Sequence, residues 1–88
     1  MFFVYMIKNS TNQLYVGVTD DPEQRLDEHN SKRGASFTKY TSTYRVVFLE
    51  KYSTMAGARK REIQIKKWRR YKKEFLIFKY QHGLETKA

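Results

Sequence analysis

The chain has 88 residues, no cysteine and a formal net charge of +9. That length fits one domain, and the lack of cysteine excludes disulfide staples and thiolate-ligated zinc, so apolar residues must supply the core. Lys8 and Asn9 end the N-terminal apolar run early and no stretch approaches the ~20 apolar residues of a membrane span, so neither a signal peptide nor a membrane partner is expected and the cytoplasm is the expected setting.

Phe3 to Lys8 and Gln13 to Val18 are β-rich runs separated by the turn-forming residues Asn9, Ser10, Thr11 and Asn12. Pairing Val4 with Val16 and Met6 with Leu14 would gather the apolar side chains on one face. The same register sets Tyr5 opposite Tyr15 on the other face, and Gly17 keeps that face open to a close approach. Asp21 then reads as a helix N-cap, with Pro22 at the first helical position and Gln24 completing a capping box. Arg25 and His29 fall one turn apart on this helix, with Leu26 turned to the sheet. Residues 30–43 read as a loop with Phe37 and Tyr40 as anchors, and Lys39 and Tyr40 are its residues expected to border a site. Tyr44 to Glu50 is a third strand, whose run Val46-Val47-Phe48-Leu49 implies burial on both faces. Ser53 or Thr54 opens a second helix, on which Met55, Ala58, Glu62, Ile65 and Trp68 share a stripe. A third helix runs from about Tyr71 to Tyr80. The reading is therefore α+β, in the order β-β-α-β-α-α, with a three-stranded antiparallel sheet flanked by helices. One domain spans residues 1–82, and residues 83–88 form a frayed tail.

Charge is distributed unevenly. Five of the nine residues from Asp20 to Glu28 are acidic, whereas nine of the fifteen from Arg59 to Lys73 are basic with Glu62 as their lone acid. Such a face suits a polyanion, with affinity drawn from released counterions. Its candidate contacts are Arg59, Arg61, Lys66, Lys67, Arg69 and Arg70, together with Lys39 of the loop.

Phe3-Val4-Tyr5, Tyr15-Val16-Gly17, Arg25 and the segment Ala58 to Trp68 around Glu62 stand in order at matching spacing, and together they resemble the GIY-YIG nucleases. The likeness covers about residues 2 to 80 and is strongest to the small single-domain bacterial members. The stretch Tyr15 to Asn30 also resembles the eukaryotic subunit that cuts branched DNA. Phe3 stands where the family's first glycine belongs, and Gln81 is the counterpart of a late asparagine. The resemblance implies a DNA endonuclease of repair or recombination type, using one Mg2+ or Mn2+ ion held by Glu62. Tyr5, Tyr15, Arg25 and His29 would complete the catalytic set.

The chemistry explains these residue types. Phosphodiester hydrolysis needs an activated water, charge relief on the phosphoryl oxygens and a stabilised leaving oxygen. Arg25 can donate a forked pair of hydrogen bonds without losing its charge. A phenol ordinarily gives up its proton only near pH 10, so it needs neighbouring cations or hydrogen bonds to act as a base, and the sequence leaves open which tyrosine does so. RNA remains open as a partner, as do a homodimer and a protein partner. The competing reading is a nucleic-acid-binding module that keeps the fold without cutting.

Overall fold

The computed structural model describes residues 1–31 and 43–87. Strands β1 (Phe2–Lys8), β2 (Leu14–Thr19) and β3 (Arg45–Tyr52) and helices α1 (Pro22–Ser31), α2 (Met55–Lys66) and α3 (Arg70–Gln81) follow one another in the expected order, β-β-α-β-α-α. The sheet is antiparallel in the order β2-β1-β3. This is the α+β architecture read from the sequence. Among the described residues, no helix is long and apolar enough to cross a membrane.

The central position of β1 explains its four consecutive buried residues, Val4 to Ile7. One side of the sheet carries Val4, Met6, Val16 and Phe48, which meet Ala58 and Ile65 of α2 and Leu76 and Ile77 of α3. Removing a side chain buried like Ile65 costs about 2–5 kcal/mol, a large part of a total near 5–15. The other side carries Tyr5 and Tyr15, and α1 reaches it through His29. β3 lies at an edge, and a register shift opposite Met6 and Ile7 breaks its alternation. Val47 and Phe48 are consequently both buried, while Val46 and Leu49 are half-buried.

The hairpin register differs from the expected one by two residues. Val4 faces Val18, Met6 faces Val16 and Tyr5 faces Gly17. Asn9 is the cause. Its Oδ1 accepts from the Thr11 hydroxyl and the Gln13 N–H, both at 2.9 Å, and its Nδ2 donates to Gln13 Oε1 at 2.7 Å. Asn12 adopts φ 69°, a left-handed conformation that asparagine tolerates. The loop is thus wider than a four-residue turn. A shift of two keeps every side chain on its face, so hydrophobic alternation alone could not select between the registers.

Helix starts follow their caps. The Gln24 N–H donates to Asp21 Oδ1 at 3.2 Å, but the reciprocal half of the capping box is supplied by Thr19, whose hydroxyl accepts from the Asp21 N–H at 3.0 Å. Thr54 caps α2 through Gly57 N–H at 3.1 Å. Ala58, Glu62 and Ile65 form the buried stripe of α2, whereas Met55 at its first turn is exposed. The residues after Gly83 turn back onto the domain. Thr86 O accepts from Arg61 Nη2 at 2.8 Å, and the Lys87 ammonium donates to Lys51 O.

Candidate active site

Tyr5 and Tyr15 occupy diagonal positions on the shared face of β1 and β2, with ring centroids 6.2 Å apart. The Tyr5 ring lies directly over Gly17. A Cβ there would stand 2.5 Å from the Tyr5 hydroxyl oxygen and 2.7 Å from Cζ, so glycine is required for this packing. The close approach expected at Gly17 is therefore made by a tyrosine of the neighbouring strand. Tyr5 is 3% exposed and Tyr15 43%. One phenol is thus enclosed, and the other stands at the opening.

α1 completes the cluster because Arg25 and His29 project from it one turn apart. The Tyr5 hydroxyl lies 3.3 Å from His29 Nε2, and the His29 ring packs edge-on against Tyr15 at 4.5 Å. Burial first, and after it the negative charges of ionised Tyr15, Glu62 and Glu28, push the Tyr5 phenol up to about 12. Arg25 acts in the opposite sense and draws it down. Tyr5 is therefore protonated at neutral pH, with its proton directed to His29 when Nε2 is the unprotonated nitrogen. Arg25 itself is half-buried and pairs with Glu28 at 3.3 Å, an exposed pair that little energy holds closed.

The residue after His29 contributes beyond what the sequence reading assigned it. Asn30 Oδ1 accepts from the Tyr44 N–H at 2.8 Å, and its Nδ2 donates to Tyr44 O at 3.3 Å. This amide clamp fixes the end of α1 to the entry of β3, and it holds Tyr44 with its ring 6.1 Å from that of His29. An asparagine after a candidate catalytic histidine, near a helix end, was the available cue.

Glu62 is 6% exposed on the buried stripe of α2, and its charge acts on the Tyr5 phenol. Its oxygens pair with Lys66 Nζ at 3.0 Å and Arg59 Nη1 at 3.5 Å. Among the described residues, no three His, Cys, Asp or Glu side chains gather as a metal cage. A single carboxylate still fits Mg2+ or Mn2+, because such hard ions keep several waters and take other oxygens from substrate phosphate. Both paired cations are mostly exposed and can swing away.

The expected nucleic-acid contacts separate into distinct settings. Lys67 and Arg69 are exposed between α2 and α3, while Arg59 and Lys66 neutralise Glu62. Arg70 pairs with Glu74 at 2.7 Å and donates to Asn12 O at 2.8 Å, tying α3 to the hairpin loop. Arg61 departs furthest from expectation. Its side chain is 15% exposed and grips Glu50 through Nε at 3.0 Å and Nη2 at 3.2 Å, with Gln64 taking Nη1. It is an anchor between α2 and β3, with little of it left for a polyanion. Gln81 is exposed at the end of α3. Lys39, Phe37 and Tyr40 lie outside the described residues.

Comparison with known proteins agrees with this arrangement. The family model described as the GIY-YIG catalytic domain matches residues 1–75. UPF0213 proteins of Staphylococcus aureus strains Mu3 and N315 are each 41% identical over 75 residues, covering 85% of this chain and 92% of theirs. Among solved structures, the solution structure of a UPF0213 protein from Bacillus halodurans is similar at TM-score 0.56 and 29% identity, covering 88% of this chain and 83% of its own. The domain match takes in both tyrosine strands, the arginine helix and Glu62, and on that footing the chain belongs to the GIY-YIG family.

Proposed function

We propose that this domain is a divalent-metal-dependent endonuclease that hydrolyses phosphodiester bonds in DNA, in repair or recombination. The observation that carries the reading is the contact cluster Tyr5–Tyr15–His29, with Arg25 and Glu62 both acting on its central hydroxyl. His29 receives, relayed through the Tyr5 hydroxyl, the proton of a bound water. Tyr15 is the phenol within reach of a phosphate, and Arg25, once released from Glu28, forks onto the phosphoryl oxygens. Glu62 would hold the ion, which when bound supplies Lewis acidity and a more acidic water. The enclosed setting of Tyr5 supports an orienting and relaying role for it rather than that of a free phenolate.

The pairing of Glu62 with Arg59 and Lys66 favours a second reading, a nucleic-acid-binding module in which that carboxylate only neutralises its own helix. Purified protein incubated with labelled duplex, single-stranded, flap and junction DNA, with and without Mn2+, decides between them. Metal-dependent cutting is expected, falling by about 10²–10⁴ in Tyr5→Phe and Tyr15→Phe. No cutting of any substrate would leave the binding module.

A further inference from the structure

The outer face of α3 carries a row of aromatic rings that the candidate site does not use. Tyr71, Phe75 and Phe78 are 74%, 58% and 47% exposed, and their spacing puts them on one side of the helix. The Phe75 and Phe78 rings are parallel within 9°, with centroids 6.3 Å apart. His82 extends the row: its Nδ1 bonds to Phe78 O at 2.8 Å and its ring sits 4.0 Å from that of Phe78. Cations line the row. The Lys79 ammonium lies 5.5 Å over the Phe75 ring. A groove of about 300 Å³ beside it has Trp68, Lys72, Phe75 and Lys79 among its lining residues. Lys72 covers Trp68 at 4.4 Å.

An aromatic face this exposed is a docking surface or a liability, and the surrounding charge selects the occupant. Glu74, the acid within α3, is already bound by Lys8 and Arg70. A second copy packed symmetrically on the row would bring Lys72 and Lys79 against cations like themselves. A polyanion with flat faces matches both features, phosphates meeting ammonium groups and bases meeting rings. Duplex DNA keeps its bases stacked inside and offers this face only phosphate. An unpaired strand offers both.

We propose that the Tyr71–Phe75–Phe78 face of α3 is a stacking platform for an unpaired nucleic-acid strand, with Lys72 and Lys79 on its phosphates. The proposal deepens the nuclease reading and rests on it only in assigning that enzyme substrates with a single-stranded segment.

Binding of labelled short oligothymidylate and of a blunt duplex, both in EDTA, tests the platform without any cutting. The Phe75→Ser/Phe78→Ser variant, with a wild-type circular dichroism spectrum, should lose about tenfold or more in affinity for the single strand and little for the duplex. Phe75→Tyr/Phe78→Tyr keeps the rings and should keep the affinity. Trp68 is the chain's one tryptophan, so its fluorescence should change as the strand enters the groove. Absence of oligothymidylate binding by the wild type, unchanged affinity in the Ser variant, or equal losses on both nucleic acids would overturn the platform. So would a wild-type dimer in sedimentation that the Ser variant abolishes. Single-strand binding through the row without cutting in Mn2+ sinks the nuclease reading alone. Cutting with no effect of the Ser variant on binding sinks the platform alone.

Discussion

The Tyr5 face and the outer face of α3 are both built from aromatic rings beside cations, yet they are held in different ways. Around Tyr5 each ring has a fixed neighbour: Gly17 beneath, Tyr15 at the diagonal and His29 at the hydroxyl. On α3 the Phe75 and Phe78 rings lie beside one another and beside His82, and they stand largely in solvent. Chemistry on a phosphodiester requires groups fixed in position before the substrate arrives. Holding a flexible strand requires flat surface and charge, which tolerate movement. A buried carboxylate marks the same divide, because Glu62 belongs to the enclosed region although its helix also bears the exposed cations.

Glu62→Gln should separate the two regions most strongly. Partners that only support metal ligands cost about 10–100-fold when removed, so loss of the sole carboxylate should lower Mn2+-dependent cutting by more than about 100-fold. DNA affinity in EDTA should hold or rise, because the change removes the one negative charge in the basic stretch. The melting temperature should move little, since Arg59 and Lys66 rehydrate. Cutting at the wild-type rate would end the assignment of Glu62 to the metal and leave the divide without its chemical side.

Gly17→Ala tests how firmly the tyrosine face is fixed. The added Cβ must displace a ring pinned by His29, and overpacking of this kind costs about 1–3 kcal/mol. In a Tyr5→Leu background the obstructing hydroxyl and ring are gone, so the same substitution should cost far less. Denaturant titration of the four proteins gives the coupling energy. Simple additivity would mean that this face yields as readily as α3.

The smallest expected effect concerns the link between the regions, where Glu74 joins Lys8 of β1 to Arg70 of α3. Partial burial pushes its carboxyl up, but the hydrogen bonds from Lys8 and Arg70 outweigh this and hold it below the usual 4.5. A folded-state pKa below the unfolded value contributes stability above 4.5 that is lost as pH falls through the folded value. Glu74→Gln should therefore melt slightly below wild type at neutral pH, with the gap closing as the pH drops below 4.5. A gap independent of pH would show that packing, not charge, makes the link.

Much of the site was legible in the sequence because parity and spacing are local. Tyr5, Tyr15 and Gly17 are all odd-numbered on paired strands, so they share a face in either register, and Arg25 to His29 is one helical turn. Glu62 could be placed because it lies in step with Ala58 and Ile65. The register itself was not legible, since a slip of two preserves every face and the decision lies in the side-chain bonds of Asn9. The pairing of Arg61 was not legible for a related reason: within a run of bases it looks like any other, and its partner Glu50 sits on a strand before the helix. Asn30 reads as loop in the sequence but lies in the last turn of α1, and its clamp on Tyr44 depends on a contact across fourteen positions.

That clamp also sets the terms on which the segment from residue 31 to 43 can change. Its two flanks, Asn30 and Tyr44, are held together by one asparagine side chain. Doubling the length of a flexible closed loop adds only about 0.6 kcal/mol of entropy cost. Asn30 and Tyr44 thus form a natural splice point, at which insertions, a foreign recognition segment or a reporter can be grafted beside His29 while the sheet and the tyrosine pair keep their places.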